Sequence, residues 1–160
     1  MTDLVLGPQG YTKIAIVGSA PSSIELAPYD DPSWAIWVVS PSAFATVAKR
    51  RSDVWFEIHR FLPSEPGKSG APGTLPWFSP EFHLFLKQHK GPVFMSEVDP
   101  SIPNSVRIPF EHLIAKYGPY FFSSTVSWML ALAIEQSPKT LGLWGIDMSA
   151  TEEKGYQRPA

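Results

Sequence analysis

The sequence predicts a three-layer α/β domain with a mainly parallel sheet. Three observations carry this. Apolar runs rich in β-branched and aromatic residues recur along the chain and stop at turn residues: Lys13–Val17 before Gly18, Trp34–Val39 before Ser40-Pro41, and Leu141–Trp144 before Gly145. Continuous runs of this kind are what strands buried on both faces look like. Helix-forming segments alternate with them, as in βαβ units. Finally, 160 residues with 44% apolar and 18% charged side chains suffice for one domain with one core, spanning 1–160, and are too apolar for a disordered chain.

Taken in order, the first strand ends at Gly18 and is followed by Ser19-Ala20-Pro21-Ser22-Ser23 and then Ile24-Glu25-Leu26. Proline presets φ for the first turn of a helix, where its missing N–H costs nothing, so the segment reads as strand, tight turn and short helix. A second strand, Trp34–Val39, leads through Ser40-Pro41-Ser42 into a helix from Ala43 to Lys49, and Val54–Ile58 is the third strand. Residues 60–78 hold Pro63, Pro66, Pro72 and Pro76 among glycines and serines. A loop of that length is unusual in a compact domain and is expected to be flexible, closing over a ligand. Ser79-Pro80-Glu81 starts a helix to His89, by a cap residue followed by proline. Pro92–Ser96 and Val106–Ile108 are short strands, and Phe110–Lys116 is a short helix. Ser123-Ser124-Thr125 opens the strongest helix, Val126–Gln136, apolar nearly all round and hence buried. Pro138 stops it, and Leu141–Trp144 is the last strand.

Composition narrows the chemistry. The net charge of −2 offers no basic face for non-specific nucleic-acid binding, and only Lys49, Arg50 and Arg51 cluster. With no cysteine, disulfides, thiolate zinc sites and cysteine nucleophiles are excluded. Met1–Gly10 lacks the pattern of a signal peptide, and no apolar run approaches the roughly 20 residues needed to cross a bilayer. A cytoplasmic location, with no nucleic-acid or membrane partner, is the expectation. Oligomeric state is left open.

Four turns are candidates for chemistry. At Gly18-Ser19-Ala20-Pro21-Ser22-Ser23, a buried parallel strand runs into a helix. Free backbone N–H groups there favour phosphate, and Ser19, Ser22 and Ser23 add hydroxyl donors. The turn lacks both the full dinucleotide fingerprint and the Lys-Ser/Thr ending of a P-loop, and a plain capped turn is the alternative. Ser123-Ser124-Thr125 is a second anion site or an ordinary helix cap. In Gly145-Ile146-Asp147-Met148, Asp147 lies at the same edge as the first turn if the strands are parallel. It would accept a ribose or base hydrogen bond, hold a Mg²⁺ that bridges phosphates, or merely cap a turn. In Glu57-Ile58-His59-Arg60, His59 is the candidate for proton transfer and Arg60 for bidentate phosphate binding; the alternative is a polar strand exit. His83, His89 and His112 are weaker, and no metal-ligand spacing occurs among them. Glu97 and Asp99 form an acidic turn. Trp34, Trp37, Trp55 and Trp144 read as core, and Trp77 and Phe78 as a cover for a bound ring.

The opening Ile14-Ala15-Ile16-Val17-Gly18-Ser19-Ala20-Pro21-Ser22 resembles the start of two related groups of Rossmann-like proteins. These are the 6-hydroxymethylpterin diphosphokinase-like family and the small bacterial sialyltransferases. The hydroxyl run Ser123–Thr125, the helix after it and the strand ending in Gly145-Ile146-Asp147 match as well. Together these parts cover about a third of the chain. Ala20 stands where those families have a second glycine, and the middle of the chain matches neither. The whole also resembles uncharacterised phage-encoded proteins. Both families act on nucleotide-activated or diphosphate-bearing substrates. The resemblance therefore implies a Rossmann-like domain that binds such a ligand, with Gly18, Pro21, Ser22, Asp147 and Ser124 on the ligand side.

The expectation is a nucleotide- or diphosphate-binding transferase of glycosyl- or diphospho-transferase type. Gly18, Ser19, Ser22 and Ser23 would cradle phosphate and Ser124 would add a contact. Asp147 would hold sugar hydroxyls or Mg²⁺, with His59 and Arg60 as proton-transfer and charge-stabilising residues. The alternative is a non-catalytic phage-type protein that sequesters a nucleotide. Because the sequence stops soon after a buried strand, further strands are expected beyond it.

Overall fold

A computed structural model describes residues 10–58 and 80–147. The loop expected at 60–78, together with His59, Arg60, Trp77 and Phe78, lies outside the described residues.

Among the described residues six strands form one sheet: β1 (Lys13–Val17), β2 (Trp34–Val39), β3 (Val54–Glu57), β4 (Val93–Met95), β5 (Ser105–Arg107) and β6 (Thr140–Trp144). Every pairing is parallel, in the order β5-β4-β3-β2-β1-β6. Among the described residues four α-helices accompany them: α1 (Ser40–Val47), α2 (Pro80–Gln88), α3 (Phe110–Tyr117) and α4 (Thr125–Glu135). The segment after β1 is a single 3₁₀ turn, Ile24–Leu26, and a second such turn, Pro119–Phe121, precedes α4. The α/β class with a parallel sheet is therefore present, and the strands fall within a residue or two of their expected bounds.

Chirality explains the layers. From β1 to β5 the chain steps across the sheet in one direction, and it then returns past β1 to β6. Right-handed crossovers place helices on one face during the outward steps and on the opposite face during the return. Accordingly, Ala43 and Val47 of α1 and Phe82 and Leu86 of α2 pack with Ala15, Val17, Ile36, Val38 and Trp55. Leu113 of α3 and Met129, Leu132 and Ala133 of α4 pack with Ile14, Ile16, Ala35, Trp37 and Phe56. Successive strand residues alternate between these two clusters, as the pleat requires. Because both faces of β1, β2 and β3 are covered, those strands have no polar side, which is why they read as unbroken apolar runs.

Aromatic residues fill much of the space. Trp37 meets Phe56 with ring centroids 5.5 Å apart, and Phe56 stacks on Phe94 at 4.9 Å. On the other face Trp55 packs edge-on to Phe85 at 4.8 Å. Trp37 and Trp55 are fully buried, while Trp34 and Trp144 pair edge-to-face at the rim of their cluster. The core reading of these four tryptophans holds. The helix expected to be buried nearly all round differs in part: Ile134 of α4 is 46% exposed. Among the described residues, α4 packs on the side toward the sheet and α3.

Two residues of the candidate basic cluster are paired within the fold. Arg50 pairs with Glu25 and lies over the Tyr29 ring, while Arg51 pairs with Asp53 and donates to the carbonyls of Asp31 and Trp34. Among the described residues, no helix is long and apolar enough to cross a membrane.

Candidate functional site

The strand order reverses between β1 and β6. In open parallel sheets that switch point, at the carboxyl ends of the strands, is where two loops diverge and a crevice opens for ligands. Val17 is in register with Trp144, so Gly18 and Gly145 leave the sheet side by side.

Their contact is backbone on backbone. Gly18 N–H donates to Trp144 O at 2.8 Å, and Ala20 N–H donates to Gly145 O at 2.8 Å. A Cβ on Gly18 would stand 2.3 Å from Gly145 O, so only glycine fits. Gly145 itself has φ of +62°, and a Cβ there would lie 2.8 Å from Gly18 O. Both glycines are thus required by their close approach to each other.

Side chains extend the junction. Gly145 N–H donates to Ser23 Oγ at 2.8 Å, and Ser22 Oγ donates to Asp147 Oδ1 at 2.7 Å. Residues 125 positions apart in sequence therefore meet in one cluster. Ser19, Pro21, Ser22 and Asp147 are exposed there, and Ser23 is half-buried.

This geometry differs from the phosphate cradle the sequence suggested. The N–H groups of Gly18 and Ala20 are committed to carbonyls of the β6 turn. The helix after the turn is three residues of 3₁₀, too short to present an aligned dipole. The junction still offers a ligand the hydroxyls of Ser19 and Ser22 and the Asp147 carboxylate.

Ser124 precedes α4 with extended backbone angles. A crossover helix runs antiparallel to the strands it covers, which sets this N-terminus toward the same carboxyl edge. The first turn is satisfied from within: Ser124 N–H donates to Ser127 Oγ at 3.3 Å, and Ser127 Oγ donates to Ser124 O at 2.6 Å. Ser124 is thus the N-cap, in a capping box with Ser127 at the third helical position, which is the ordinary-cap reading of the run at 123–125, and Ser123 and Ser124 remain exposed.

One residue at this edge was not singled out for a site role. Glu57 ends β3 and is 1% exposed. A carboxyl group buried at the carboxyl end of an interior strand is a candidate for function. Its signal in the sequence was a lone acid closing the apolar run Val-Trp-Phe. Only β2 separates β3 from β1, so Glu57 stands about 10 Å along the edge from the switch point, at two strand spacings.

The histidines lie elsewhere. His89 is buried, with Nδ1 2.9 Å from Gly91 O and Nε2 3.0 Å from Ser52 Oγ. A carbonyl only accepts, so Nδ1 carries the proton and Nε2 accepts from Ser52. Burial pushes this imidazole below its ordinary value. It ties α2 to the entries of β3 and β4, at the amino edge. His112 meets Glu135 across α3 and α4 at 3.1 Å. In the acidic turn, Asp99 Oδ1 accepts from Ser101 N–H. Among the described residues, no group of three or more His, Asp or Glu is placed to hold a metal ion.

Compared with family models, curated proteins and solved structures, the chain matches none.

Proposed function

We propose that this chain holds a nucleotide or a nucleotide-activated substrate over the β1–β6 switch point, as the ligand-binding domain of a transferase. The observation that carries the reading is the reversal of strand order there, with Ser22 and Asp147 joined across it. An ionised carboxylate is acceptor-only, and Asp147 is suited to the hydroxyls of a ribose or sugar. With the N–H groups of Gly18 and Ala20 committed and the Ser22 proton given to Asp147, phosphate contacts fall first to the hydroxyls of Ser19 and Ser124, and to Ser22 when a ligand draws it away from Asp147. A Mg²⁺ held by Asp147 would offset repulsion between this carboxylate and the phosphate oxygens. Glu57, about 10 Å along the edge, gives a second polar point for a ligand longer than a single sugar.

A thermal-shift screen against nucleotides, nucleotide sugars and cyclic dinucleotides, with and without Mg²⁺, tests this. A ligand at about 100 times its dissociation constant stabilises the fold by about 2.7 kcal/mol. The shift is expected to vanish in Asp147→Asn, an exposed site where the fold tolerates the change. A well-folded protein that responds to none of these ligands overturns the proposal. With a ligand in hand, His59→Ala separates the two forms of the reading. A transferase loses turnover and keeps affinity, whereas a sequestering protein is unchanged.

A further inference from the structure

We propose that two copies of this chain pair through β6, antiparallel, about a two-fold axis at Gly142, so that their sheets join into one. Strand β6 is an edge: among the described residues, β1 is its only neighbour in the sheet. Its sequence, Thr140-Leu141-Gly142-Leu143-Trp144, holds no charge and no proline. Leu143 is 51% exposed. Natural sheets guard exposed edges with charges, prolines, bulges or very short strands, because a bare edge is a template for another strand. None of these devices is present in β6.

The occupant is a second copy because the strand is complementary to itself. Antiparallel pairing centred on Gly142 sets Leu141 opposite Leu143 of the second copy, and the reverse. Directly opposed residues share a face, so each exposed Leu143 gains an apolar cross-strand neighbour. Thr140 falls opposite Trp144 at both ends. The flanking charges agree as well. Lys139 precedes the strand and Asp147 follows it, so the antiparallel arrangement brings the lysine of each copy toward the aspartate end of the other. Gly142 suits the centre. The Trp144 ring already lies where a Cβ at 142 would stand, 2.4 Å away, so no side chain projects at the axis. A contact of this kind is isologous and closes at two copies.

Sedimentation velocity across a dilution series tests the proposal, together with circular dichroism to confirm folding. The expected species is a dimer that dissociates on dilution. Leu143→Lys places a charge at an already exposed position and should leave the monomer folded. It is expected to weaken the dimer about 10-fold, since each substitution acts twice across the axis. The chain has no cysteine, so register can be read directly. A mixture of Leu141→Cys and Leu143→Cys chains should form a mixed disulfide, while neither variant alone should cross-link comparably. A folded protein that stays monomeric at high concentration overturns the proposal, as it does if another segment of the same chain covers β6. A dimer indifferent to Leu143→Lys, or one that cross-links in another register, overturns it equally.

Discussion

Strands β5 and β6 both border the sheet, one three residues long and the other five. They meet their surroundings with different chemistry. At β5 the strand is short and its ties are polar. Ser105 Oγ accepts from Asp99 N–H at 3.1 Å and donates to Asp99 O at 2.9 Å. Arg107 forms a bidentate pair with Glu111, at 2.8 and 2.6 Å. At β6 the strand is apolar, and its exit is fastened by two glycines whose backbones touch. The β5 border is protected by charge and brevity. The β6 border is stitched inward to the switch point, and among the described residues no strand pairs with it outward. The contrast teaches that each border reflects what lies beside it. Beside β6 are the candidate ligand residues, which demand a rigid backbone junction. Beside β5 the fold needs only an end.

If this contrast is right, the two borders should differ in their tolerance of small changes. The largest effect is expected at the junction. Gly18→Ala forces a Cβ against Gly145 O and should destabilise the protein by about 3 kcal/mol, the upper range for overpacking a filled site. Urea denaturation measures it. A loss below that of a β5 variant would break the comparison. At β5, Ser105→Ala removes the acceptor for Asp99 N–H and the donor to Asp99 O. The expected cost, by the same method, is about 1–2 kcal/mol for the unsatisfied amide.

The smallest expected effect concerns the strap joining the two sides. Glu135 at the end of α4 accepts from Lys116 Nζ at 2.7 Å and Tyr117 Oη at 2.5 Å, both on α3. Lys116 first, then Tyr117, hold its carboxyl down to about 2, from an ordinary value of 4.5. A depressed carboxylate contributes stability that is complete above the unfolded value and lost as pH falls through the folded one. Stability should therefore decline between about pH 4.5 and pH 2. The decline should be shallower in Glu135→Gln. Glu111, held to about 2 chiefly by its hydrogen bond with Arg107, is solvent-exposed, so Glu111→Gln should barely alter the acid profile. Equal effects of the two variants would remove the distinction between the strap and the β5 border.

Much of the fold was legible because burial writes itself into local sequence. The runs Ile-Ala-Ile-Val and Trp-Ala-Ile-Trp-Val-Val can be strands only if both faces are covered, and both are. Pro80 and Pro41 marked helix starts for a local reason, since φ is preset there. The candidate site was legible in its members and not in its wiring. Gly18, Ser22 and Asp147 stood out as turn residues after strands. That Gly18 and Ala20 spend their N–H groups on the β6 turn depends on which strand lies beside β1. No local pattern encodes that neighbour.

The sequence by itself determined the α/β class, the segments that become strands and helices, and the residues able to sit at the carboxyl edge. These follow from the alternation of side chains and from the conformational limits of proline and glycine, which act over a few residues. Only the tertiary structure decided that β6 returns to lie against β1, that Gly18 answers Gly145, and that Ser22 reaches Asp147 from 125 positions away. Those choices rest on the handedness of the crossover and the burial of a whole helix layer, which no single stretch of chain can express.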